Sequence, residues 1–115
     1  MVTLEKINTV PGINPKELTE ATKFVIRLDE KTKDTVEEIE RTTKDKKGKF
    51  VQYNVFLAND KGESFITQFH FLRDLQELRE VYGENTTTWA GKQVILDPEE
   101  DSKGYKKAAL KAVIT

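Results

Sequence analysis

The change of hydrophobic period near residue 70 constrains this chain more than any other feature. Residues 50–57 split by the two-residue period of a strand. Val51, Tyr53, Val55 and Leu57 form one face, and Phe50, Gln52, Asn54 and Phe56 the other. Residues 64–70 read as the return strand of a hairpin that turns at Asn59, Asp60, Lys61 and Gly62, with Gly62 in the left-handed region. Phe71, Leu75, Leu78 and Tyr82 then fall at helical spacing, with Leu72 widening the stripe, and Gly83 stands where a helix C-cap belongs. Residues 93–96 return to a strand. The pattern predicts one main helix over 71–82 inside an otherwise strand-rich domain.

The flanking segments fill in the rest. Residues 1–22 read as a peripheral arm, because Pro11, Gly12 and Pro15 interrupt any regular element. Asn14 as cap with Pro15 behind it predicts a short helical turn at 15–19. Residues 24–28 start a strand, and the polar run 29–35 follows. Residues 36–43 are β-branched but carry few apolar side chains, as in a strand exposed on one side or at an edge. Its glutamates also favour helix, and the lysine-rich turn at 44–49 argues for the strand, with Gly48 supplying a positive φ. A loop covers 84–90, Pro98 stops the strand begun at Gln93, and a last strand covers 105–114.

Taken as three strands, a helix and two strands, this order predicts a mainly β fold: a five-stranded OB-type Greek-key barrel with one helix between strands 3 and 4. The arm is 1–22 and the barrel domain 23–115.

The chain of 115 residues is 37% hydrophobic, enough for one core and too little for two. It has no apolar run of membrane-spanning length and does not begin with the layout of a signal peptide. With no cysteine, disulfides and thiol nucleophiles are excluded, and a cytoplasmic setting is expected. His70 is the only histidine and has no partners at metal-ligand spacing, so it reads as a surface or rim residue. Asp97, Glu99 and Asp101 mimic the oxygens of a calcium loop, but Ser102 stands where the turn glycine should be and Ala108 where the bidentate glutamate should be. No serine or threonine stands with a histidine in a pattern that suggests a nucleophile. The expectation is a non-enzyme without cofactor or metal.

A net charge of -1 means that any nucleic-acid site must be a local patch. One candidate is the polar-aromatic face of the central strand, Phe50, Gln52, Asn54 and Phe56, which suits stacking and edge readout of bases. A second is the outer face of the last strand. There Ala108, Leu110, Ala112 and Ile114 point to the core, while Tyr105, Lys107, Ala109, Lys111 and Val113 point outward. Lys44, Lys46, Lys47 and Lys49 add a basic hairpin tip, and in an OB barrel that tip and the loop before the last strand flank the ligand groove.

The run from Leu75 to Leu96 resembles a segment of OB-fold, single-stranded-DNA-binding-like proteins of phage and archaeal mobile elements. There a helix ends in Gly, a short loop carries Thr and Trp, and Gly-Lys opens the next strand. The matching positions are Leu78, Gly83, Thr86, Trp89, Gly91, Lys92, Val94 and Leu96, and the strand after Gly104 is similar. The likeness covers about half the chain, and its motif is structural, with Trp89 as a wedge between helix and barrel. The acidic loop before Ser102 departs from the pattern. The resemblance implies a viral or phage-like protein that binds single-stranded DNA.

The expected function is therefore binding of single-stranded DNA or RNA, DNA foremost, with bases on Phe50, Phe56 and Tyr105, amides from Gln52 and Asn54, and phosphates on Arg41, Lys47, Lys49, Lys107 and Lys111. The alternative is a protein-interaction module of the same fold in a replication or virion assembly. No membrane partner is expected.

Overall fold

The structure, a computed structural model, describes residues 12–100 and 102–113. Residues 1–11 of the arm, Asp101 and Ile114 thus lie outside the described residues. The strands are β1 (Thr22–Ile26), β2 (Val36–Thr42), β3 (Lys49–Ala58), β4 (Ser64–Phe69), β5 (Gln93–Glu100) and β6 (Lys106–Ala112), and one α-helix, α1 (Gln76–Tyr82), lies between β4 and β5. All strand pairs are antiparallel, in the order β2-β3-β1-β5-β6, with β4 also paired to β3.

Four strands precede the helix, one for each strand segment read there, where the expected barrel has three. The register shows why. Ile26 of β1 lies opposite Leu57, and Val36 of β2 lies opposite Val55. Between them, the Phe56 N–H donates to the Thr35 carbonyl (2.9 Å) and the Phe56 carbonyl accepts from the Arg27 N–H (3.0 Å). β1 and β2 are thus two halves of one strand line on the same edge of β3, and residues 27–35 loop out between them. Asp34 pins that loop: its Oδ1 accepts from the Thr35 N–H (2.7 Å) and from the Thr86 hydroxyl (2.6 Å).

The sheet is open, which corrects the expectation of a closed five-stranded barrel. β4 and β6 do not pair. The arm enters the seam instead. Gly12 bridges Ile66 in parallel, the Ile13 N–H donates to the Ile66 carbonyl (2.8 Å), and a 3-10 turn at Pro15–Glu17 packs on β6. That turn is the expected one, shortened, and the Asn14 side chain caps it.

The core joins both halves of the sheet to the helix. Phe24, Ile26, Val55, Leu57, Phe69, Val94, Leu96 and Leu110 pack with Leu75, Leu78 and Trp89. Trp89 is fully buried, and its Nε1 donates to the Gly83 carbonyl at 2.8 Å, so its polar edge is satisfied inside the core. It sits on a 3-10 turn, Thr86–Trp89, inside the expected loop. Two contacts latch α1 to the end of the sheet: the Tyr82 hydroxyl donates to the Gln93 carbonyl (2.6 Å), and Glu77 accepts from the Ala112 N–H (2.6 Å).

Three local expectations need correction. The helical stripe does not begin at Phe71, because a 3-10 turn, Leu72–Leu75, precedes α1 and Phe71 is its extended N-cap. Phe71 and Leu72 are exposed, and the buried stripe starts at Leu75. The β2–β3 turn takes its positive φ at Lys46 (61°), not at Gly48, and the Gly48 carbonyl accepts from the Thr43 N–H (2.9 Å). Pro98 does not stop β5. The Lys92 carbonyl bonds toward β1 and the Gln93 carbonyl toward β6, so the two-residue alternation turns the Pro98 nitrogen toward β1. β1 begins at Thr22 opposite Leu96, and a proline beyond that point interrupts no ladder bond.

Candidate nucleic-acid interface

The two faces of β3 meet different fates. Val55 and Leu57 are core and Tyr53 packs against it. On the opposite face Gln52, Asn54 and Phe56 are also buried, 8%, 6% and 4% exposed. The Gln52 amide donates to Asn54 Oδ1 (2.9 Å), and the Asn54 amide donates to Glu37 Oε1 (3.3 Å) on β2. The Arg27 guanidinium lies over the Phe56 ring, 5.4 Å from its centroid. These three residues form a closed wall and do not present the open stacking surface expected of them.

Phe50, near the start of β3, is partly open, and its ring meets the His70 ring edge-on at 5.5 Å. Arg41 lies opposite Phe50 in the β2–β3 register. Lys49 is held by Glu40 at 3.2 Å. Lys47 lies in the turn, where its N–H donates to Asp45 Oδ1 (3.0 Å). That bond and the Thr43 hydroxyl hold the Asp45 carboxyl below its ordinary range, the hydroxyl having the larger effect.

On β6, Leu110 is buried and Ala108 and Ala112 pack against the core. The outward positions differ in charge. Lys111 is bound by Asp97 (2.9 Å) and Glu99 (3.7 Å), and the Asp97 carboxylate holds its ammonium above the usual lysine range. Its charge is already matched by protein carboxylates. Tyr105 is 69% exposed just ahead of the strand.

Lys107 borders a groove of about 640 Å³ between β4 and β6. Ile13, Pro15, Phe69 and Ala108 give it an apolar floor, and the exposed residues on its rim are Gln68, His70, Phe71, Arg73, Lys106 and Lys107. Among the described residues Asp74 is the one acid lining it. The Phe71 ring is 55% exposed and carries the Arg73 guanidinium 4.5 Å from its centroid. Through the Phe50–His70 contact the groove adjoins the start of β3 and the basic turn before it.

Of the sequence-predicted residues, then, Phe50 and Arg41 face each other across β2 and β3, Phe50 reaches His70, and Lys107 lies on the groove beyond. The groove also takes in Phe71, Arg73 and Lys106, which the sequence patterns did not single out as candidates, and His70, expected at a surface or rim position. Phe71 carried an apolar signal that fitted the helix, and Lys106 falls on the core-facing period of the last strand.

Compared with known proteins, the chain matches no family model and no curated relative. Among the described residues no helix is long and apolar enough to cross a membrane.

Proposed function

We propose that this protein is a single-stranded nucleic-acid-binding domain of OB type, DNA foremost, and that the strand lies along the groove between β4 and β6 and over Phe50 toward the β2–β3 turn. With β1 and β2 counted as one interrupted strand, the strand order fits an OB-type barrel left partly open, with β3 and β4 as its second and third strands. The β2–β3 and β5–β6 loops then flank the ligand, as in that fold.

The observation that carries this reading is the groove rim. An exposed Phe71 under Arg73, the Phe50–His70 ring pair, and Lys106 and Lys107 put stacking faces beside cations, the combination that holds single strands with little sequence preference. The near-neutral net charge is compatible with this, since the cations are local.

The test is a fluorescence-polarisation titration of the protein with labelled oligothymidylate over a salt series. With Arg73, Lys106 and Lys107 on three phosphates, the log–log slope of affinity against salt is expected near -2, from ~0.7 per phosphate. If no single strand binds at low ionic strength, the reading fails and a protein-interaction module of the same fold takes its place.

A further inference from the structure

The walls of the groove are two strand edges, and their direction follows from the hydrogen bonds. In β4 the Ile66 carbonyl bonds outward to Ile13, while the Glu63 carbonyl bonds to Asn59 across the hairpin. The alternation turns the backbone N–H and C=O of Gln68 away from β3. In β6 the Val113 N–H bonds to Gln93 of β5, while the Ala112 N–H turns the other way to Glu77. The backbone of Ala108 therefore also faces away from its neighbour. Gln68 and Ala108 both line the groove.

The groove thus combines an apolar floor, backbone donors and acceptors along both walls, and cations with an exposed ring at the rim. Resting on the reading above, we infer that it is a base-reading subsite: a nucleobase enters the seam, its faces against the floor, its Watson–Crick edge on the backbone of Gln68 or Ala108, its phosphates at Lys106, Lys107 and Arg73. A base is planar and apolar on its faces, polar at its edges, and tethered to an anion, which matches all three layers. A duplex, whose base edges are already paired, cannot use the site.

The experiment compares oligothymidylate with an abasic strand of equal length and charge and with a duplex, all at one salt concentration. Oligothymidylate is expected to bind more tightly than the abasic strand by on the order of tenfold or more, and the duplex to bind no better than the abasic strand. With Gln68→Ala as the control for loss of the exposed carboxamide, expected to bind as the unsubstituted protein does, Gln68→Pro further removes the outward N–H and spares the ladder to β3. It is expected to weaken oligothymidylate binding several-fold, to leave the abasic strand unaffected and to keep the thermal melt. Equal binding of the base-bearing and abasic strands, or a Gln68→Pro protein that binds oligothymidylate normally, overturns the inference while leaving the binding function standing. Failure of every strand to bind overturns the function itself.

Discussion

Phe56 and Phe71 are the same residue type on opposite sides of β4, and the fold treats them in opposite ways. Phe56 lies on the strand face that alternation marks as outer, yet it is buried beneath Arg27. Phe71 belongs by spacing to an apolar helical stripe, yet it stands in solvent beside the groove with Arg73 on its ring. A side chain's period gives its direction. What lies in that direction depends on chain segments remote in sequence, here the loop 27–35 in one case and a change of helix type in the other.

Substituting the two rings separates their roles. Phe56→Ala should cost ~3–5 kcal/mol, the usual loss for a large aromatic removed from a packed site, read as a lower urea midpoint at unchanged slope. Retention of near-native stability would mean that the outer face of β3 is open after all and available for stacking. Phe71→Ala should leave stability within about 0.5 kcal/mol and weaken single-strand binding by ~1–3 kcal/mol. A Phe71→Ala protein that binds normally would move the site away from the groove.

The lysines of β6 give the smallest and sharpest contrast. Lys107→Ala should reduce the salt slope of binding by about 0.7, the share of one phosphate. Lys111→Ala should leave the slope where it was, because Asp97 and Glu99 already hold that ammonium. A slope lowered equally by both substitutions would show that nucleic acid displaces the carboxylates.

The strand positions, the single helix and the core face of β3 were legible in the sequence because each rests on a local periodicity that tertiary contacts reinforced. The split of the first strand line was not, since only the register against β3 shows that β1 and β2 continue one another. The same holds for Pro98: its ring forbids a ladder bond, and whether a bond was needed depends on where β1 begins. Candidate site residues divide similarly. Phe50 and Lys107 stand on outward periods, and the structure leaves both at open positions. Gln52 and Asn54 stand on an outward period too, but they bond to each other and β2 brings Glu37 onto Asn54.

By itself, then, the amino-acid sequence determined where strands and the helix lie along the chain, though not all of their ends, together with the turns at Gly62 and Gly83 and the burial of the one tryptophan, because strand and helix periods and the area of an indole ring are properties of the local chain. Only the tertiary structure decided that the sheet stays open, that residues 12–17 enter its seam, and that Phe71, Arg73, Lys106 and Lys107 surround one groove. Those outcomes depend on how strand edges meet across the domain, and a strand's edge, unlike its faces, leaves no periodic mark in sequence.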